Sequence, residues 1–240
     1  MILFLTSSPC VIGAPRVILN PANGFVARLQ DSLPKWPRTL FIASNPDDHD
    51  DLCHFANEMA RAFREFGFPM GGFSTLDGSN AGDAPFLVAT SDLIILMGGH
   101  VPTQNAFFQD IALRQLLEGY DGCVLGISAG SMNCADLVYA QPEEPGEGVD
   151  PYYEKFIPGL GLTDVNILPH YQQVKDNILD GLWLYGDITF PDSMGHVFFV
   201  LPDGSYYYQD EESATFFGEM YRLENGIFEQ LTRDGSCWSL

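Results

Sequence analysis

The chain has 240 residues, 46% of them hydrophobic, which is enough to bury a sizeable core within one α/β domain spanning 1–240. Its 32 acidic residues against 11 Lys and Arg give a formal net charge of −21. That surface repels nucleic acid and anionic membranes, so neither is an expected partner.

The first segment, Met1 to Leu5, is a short apolar run that reads as a buried strand. It lacks the basic start and long apolar centre of a leader. No other run reaches membrane-spanning length, and five scattered cysteines without metal-ligand spacing fit small core residues in a reducing cytoplasm. Thr39 to Ser44 reads as a strand buried on both faces. Asn45-Pro46 then supplies an N-cap and a first-turn proline for a helix. Leu52, Phe55, Met59, Phe63 and Phe66 are spaced as one face of that helix, which Gly67 ends.

Asp92 to Met97 is a further buried strand, closed by Gly98-Gly99 and followed by His100. A helix is expected over 103–118, then an apolar strand at Cys123-Val124-Leu125. Next comes Gly126-Ile127-Ser128-Ala129-Gly130, a G-x-S-x-G sequence in the strand–turn–helix context of a nucleophile elbow. A helix is expected over about 129–139, and residues 141–151 form an acidic Pro/Gly-rich loop, either a lid over the elbow or an inert connection. Val165 to Pro169 is strand-like, about 172–187 is read as helical, and His196 to Leu201 is a strand ending at Pro202-Asp203-Gly204. Short strands with a turn at Glu224-Asn225-Gly226 complete the chain.

Alternation of buried strands with helices implies a mostly parallel central sheet covered on both faces, a three-layer α/β sandwich. Ligands of such sheets bind beyond the carboxyl ends of the strands. Gly98-Gly99-His100, the elbow, Pro169-His170 and Asp203-Gly204 all stand at expected strand ends.

A serine nucleophile needs a base, and the base needs an acid to orient it. His170 follows a strand and a proline and is the favoured base. His100 is the alternative, although its preceding glycines are better placed to offer amides to an oxyanion. Asp203 is the favoured acid. The order Ser128, His170, Asp203 differs from the serine–acid–histidine order of α/β-hydrolases.

With these residues in hand, the chain resembles the peptidase E and cyanophycinase family of serine peptidases. The resemblance rests on Leu96-Met97-Gly98-Gly99-His100, Gly126-Ile127-Ser128-Ala129-Gly130-Ser131, Asn166-Ile167-Leu168-Pro169-His170 and Leu201-Pro202-Asp203-Gly204-Ser205. It implies a flavodoxin-like fold of the class I glutamine amidotransferase type and a Ser128–His170–Asp203 triad. It also implies an oxyanion hole from the amides of Gly99 and Ala129, and hydrolysis of dipeptides or short peptides without metal or cofactor, with a preference for N-terminal Asp as a hypothesis. Gly98, His100 and Lys175 are the expected substrate contacts.

Three residues depart from the family pattern. Asp203 stands where glutamate is frequent, and His100 where asparagine is frequent. Lys175 is the only cation in 171–180, where relatives specific for N-terminal aspartate carry arginine. Two other readings stay open: hydrolysis of a non-peptide amide or ester, and a non-catalytic ligand-binding relative. Exposed strand edges in the C-terminal third are compatible with a homodimer.

Overall fold

The computed structural model describes residues 1–240. The first half alternates strand and helix: β1 (Ile2–Thr6), α1 (Phe25–Asp31), β2 (Arg38–Ile42), α2 (His49–Glu65), β3 (Gly72–Leu76), α3 (Ala84–Ala89), β4 (Leu93–Leu96), α4 (Val101–Asp110), α5 (Leu113–Leu116) and β5 (Cys123–Ile127). Every residue of β4 and β5 is buried, as a strand covered on both faces requires. β1, β5, β4, β2 and β3 lie side by side in parallel.

The second half is richer in short strands. It contains α6 (Ala129–Met132), β6 (Leu137–Tyr139), β7 (Phe156–Pro158), β8 (Asn166–Leu168), α7 (Tyr171–Val174), β9 (Ile178–Leu179) and β10 (Leu182–Trp183). A π-helical segment, Leu184–Thr189, leads to α8 (Phe190–Asp192) and β11 (Val197–Val200). Then come β12 (Tyr206–Gln209), β13 (Ala214–Phe217), β14 (Met220–Glu224), β15 (Ile227–Thr232) and β16 (Cys237–Ser239). β12, β13 and β16 extend the central sheet beyond β1 in antiparallel fashion, giving eight strands in the order β16-β13-β12-β1-β5-β4-β2-β3.

The expectation of a single sheet is corrected here. The strands that lead to His170 and Asp203, β8 and β11, belong to a separate four-stranded sheet ordered β15-β14-β11-β8. They run parallel, with Leu168 opposite Val200, so the residues that follow them emerge at the same end. A 43-residue hydrophobic cluster fills the central sheet, and a second cluster of 15 residues, including Val138, Tyr139, Tyr185 and Phe198, supports the smaller one.

Helix α2 buries Leu52, Met59 and Phe63 as its spacing requires. It ends in a Schellman turn: Phe68 N–H donates to Phe63 O, Gly67 N–H donates to Arg64 O, and Gly67 has φ +85°. Its start is three residues later than expected. Asn45 instead closes a turn by accepting from the Asp47 N–H at 3.1 Å, and Asp48 precedes the first helical residue.

The helix expected over 103–118 is broken at Ala112, which takes φ +52°. The chain thereby changes direction and buries Leu113 and Leu117. The helix expected over 129–139 lasts one turn. Leu137-Val138-Tyr139, good strand formers, pair with β7 instead.

The helix expected over 172–187 is likewise absent. One turn, α7, is followed by the β9–β10 hairpin, whose two-residue loop is Asp180-Gly181 with φ +53° and +83°. That pairing of residues and angles is the type I′ turn. The turn at Asn225-Gly226 is formed as expected, between β14 and β15. No helix is long and apolar enough to cross a membrane.

Candidate active site

The elbow sits where β5 leaves the central sheet. Ser128 takes φ +52° and ψ −113°, a conformation an L-residue holds only under constraint from its surroundings. Its N–H donates to Thr6 O at 3.0 Å, and the carbonyl of Ser128 accepts from Ser131 N–H at 2.9 Å. The flanking glycines are sterically required. A Cβ at Gly130 would stand 2.3 Å from Leu96 O, and one at Gly126 would stand 2.7 Å from Ser131 Cα. A Cβ at Gly98 would press on Ser128 Cβ at 3.2 Å, so the β4 end packs directly against the serine.

The structure brings Ser128, His170 and Asp203 into one hydrogen-bonded chain. Ser128 Oγ lies 2.9 Å from His170 Nε2, and His170 Nδ1 lies 2.7 Å from Asp203 Oδ1. A carboxylate only accepts, so the Nδ1 position carries the proton and Nε2 is left to accept from the serine hydroxyl. His170 also has positive φ, +58°, and its side chain is 29% exposed, whereas that of Asp203 is 5% exposed.

Burial by itself raises the Asp203 carboxyl pKa. Hydrogen bonds from His170 and Ser7, the charge of His170 and a bond from Gln173 outweigh it, and the pKa is held below the usual carboxylate value.

Ser7 was not legible as a site residue. It follows β1, next to the elbow strand, and is fully buried. Its hydroxyl donates to Asp203 Oδ1 at 2.7 Å and accepts from the His170 N–H at 2.7 Å. One side chain from the central sheet thus fixes both residues supplied by the second sheet. Gln172 and Gln173 complete the surroundings by donating to Asp203 Oδ2, and Gln172 Oε1 accepts from the Asp203 N–H at 3.1 Å.

A cleft of about 210 Å³ opens over Ser128 and His170. Gly99 and Ala129 line it, and their N–H groups donate to no acceptor within the protein. They are therefore free for an incoming oxygen. A Cβ on Gly99 would meet Ser44 at 2.6 Å, so only glycine lets the backbone pass there.

The acidic loop contributes Gln141, Pro142 and Glu143 to the wall, and the β9–β10 hairpin contributes Ile178 and Leu179. Asp180 ties the two together by accepting from the N–H groups of Gly146 and Gly148 at 2.9–3.0 Å.

The other expected contacts fall differently. Gly98 backs the serine from behind and does not line the cleft. His100 also stands outside it, with Nδ1 on Thr103 Oγ1 at 2.7 Å and Nε2 on Glu147 Oε1 at 2.8 Å. His100 therefore anchors the acidic loop. Lys175, expected as a substrate contact, instead caps the C-terminus of the single turn α7, where it is exposed and outside the cleft wall.

His100, Glu144 and Glu147 bring three potential ligand atoms within 4.8 Å of one another. Both His100 nitrogens are engaged, however, and Glu147 Oε2 accepts from the N–H groups of Glu143 and Glu144.

No protein-family profile matches the chain, and no curated protein sequence matches it. Solved structures share its fold. A peptidase from an acI-B1 Actinobacterium matches with TM-score 0.64 and 16% identity, over 100% of this chain and 96% of that one. A protein from Listeria monocytogenes EGD-e, provisionally described as peptidase E, matches with TM-score 0.59 and 15% identity, over 96% of this chain and 98% of that one. At these identities the likeness establishes a common α/β architecture with a large, mostly parallel central sheet.

Proposed function

We propose that this chain is a serine peptidase that hydrolyses dipeptides or short peptides through an acyl-enzyme, on a fold of the class I glutamine amidotransferase type. The observation that carries the reading is the Ser128–His170–Asp203 chain, with contacts of 2.9 and 2.7 Å at the floor of a cleft. The peptidase names of the two structural neighbours support the same class.

In this reading Ser128 Oγ attacks the scissile carbonyl while His170 Nε2 takes its proton. The carbonyl oxygen becomes an oxyanion and receives hydrogen bonds from the Gly99 and Ala129 amides. His170 then protonates the departing amine as the C–N bond breaks, leaving an ester on Ser128. Water, deprotonated by His170, attacks that ester, and the serine recovers its proton as the acid product leaves. Asp203 holds the imidazole in the required tautomer throughout. No metal or cofactor enters these steps.

Incubating wild type and Ser128→Ala with dipeptides varied at the first residue (Asp, Asn, Ala, Gly, Leu, Lys, Phe) tests the reading by mass analysis of products. Cleavage by wild type alone is the expected result. Silence from both proteins contradicts the peptidase reading and favours a non-peptide amide or ester substrate, or a binding role. The same panel tests the preference for N-terminal aspartate, for which the cleft supplies no Lys or Arg.

A further inference from the structure

Apart from His170, one ionisable side chain lines the cleft, and it is acidic. Glu143, from the loop after β6, lines the cleft together with Gly99, Ser128 and His170. Its Oε1 accepts from the Val101 N–H at 3.3 Å, which fixes the carboxylate at the start of α4, and its Oε2 accepts from no group in the protein. The wall also carries the apolar Val101, Met132, Val174, Ile178 and Leu184, beside the polar Gln141 and Asn177. Glu143 is exposed as a residue, yet partial desolvation, with the neighbouring Glu147 and Glu144, raises its pKa above the ordinary glutamate value against the opposing charge of His100 and the Val101 bond.

We infer that Glu143 is a specificity-determining residue, binding the free α-ammonium of a substrate whose first side chain is apolar. The inference rests on the peptidase reading of the same cleft. Gly99, the oxyanion donor, is two residues from Val101, a span of at most about 7.6 Å between Cα atoms. One amino-acid residue, with its ammonium on Glu143 and its carbonyl oxygen on the Gly99 amide, fills a comparable span once a hydrogen bond is added at each end.

The side chain of such a substrate then meets the apolar residues of the wall. There a methylene gains by burial, and an unpaired carboxylate is penalised by desolvation and by repulsion from Glu143. The formal charge of −21 opposes an acidic substrate at long range as well.

The test compares Leu-Ala, Asp-Ala and N-acetyl-Leu-Ala as substrates of wild type, Glu143→Gln and Glu143→Asp, with Ser128→Ala as the catalytic control. Wild type is expected to show kcat/KM at least tenfold higher for Leu-Ala than for either of the others. Glu143→Gln is expected to raise KM for Leu-Ala about tenfold with little change in kcat, and to bring the ratio of free to acetylated substrate toward one. Glu143→Asp, which keeps the charge, is expected to recover part of that ratio.

Hydrolysis that is lost in Ser128→Ala but favours Asp-Ala, or a free-to-acetylated ratio unchanged by Glu143→Gln, overturns the inference and leaves the peptidase reading intact. Silence of wild type on all three substrates overturns both.

Discussion

Ser7 gives the Asp203 carboxylate a second fixed donor, and it holds the His170 backbone with the same oxygen. Replacing Ser7 by alanine leaves a part-buried acceptor and a part-buried N–H short of a partner, at a cost of up to about 1–3 kcal/mol each. Ser7→Ala is expected to lower kcat about tenfold, the effect of ~1.4 kcal/mol on the barrier, with a smaller change in KM. Unchanged kcat would show that His170 and Asp203 hold their positions without it.

Asp203→Asn is expected to lower kcat by roughly 10³–10⁴-fold, because an amide allows the wrong imidazole tautomer. The Asp203 pKa is depressed in the folded protein despite burial. Its contribution to stability is therefore present above the unfolded carboxylate pKa, about 3.9, and is lost as pH falls through the folded value. The fall in Tm from pH 5 to pH 2 should be shallower in Asp203→Asn than in wild type, and equal slopes would contradict this assignment. Ser128, His170 and Asp203 were legible because each follows a buried strand and carries reactive chemistry. Ser7 was not, since a lone serine after an apolar strand has no distinguishing pattern until its neighbour is known.

At the level of elements, the close crossing of the elbow helix over β4 depends on Gly130. Gly130→Ala drives a Cβ to within 2.3 Å of the Leu96 carbonyl, a backbone atom that cannot swing aside. The expected loss is about 1–3 kcal/mol or more, seen as a lower denaturant midpoint. Gly82→Ala is the control, since a Cβ there meets nothing within 4 Å and Gly82 has no positive φ; its midpoint should hardly move.

The strands of the first half were readable from their apolar runs, and α2 from its spacing. The stretch 172–187 was misread because Val174, Ile178, Leu179 and Leu182 suit a helical face as well as a hairpin. Asp180-Gly181 in the middle was the available signal, a dipeptide that favours a two-residue turn over a continuing helix. The separate sheet of β8 and β11 could not be read at all, because strand pairing across some thirty residues leaves no local mark. The burial of adjacent Tyr206 and Tyr207 follows from a sheet covered on both faces.

Over the whole molecule, two hydrophobic clusters meet at a site assembled from two sheets, so loss of either should be felt in the cleft. A formal charge of −21 also sets the folded state against its own repulsion. Raising NaCl from 0.01 to 0.5 M shortens the Debye length from about 30 Å to a few ångströms and should raise Tm. A fall in Tm would mean that attractive surface pairs such as Arg61 with Glu58 and Glu65 outweigh the net repulsion.

The measurement that bears most directly on the catalytic reading is covalent labelling with a serine-directed phosphonate, located by peptide mass analysis. The account predicts one adduct, on Ser128, forming in wild type and strongly slowed in His170→Ala. No adduct, an adduct on another residue, or equal labelling without His170 would contradict it.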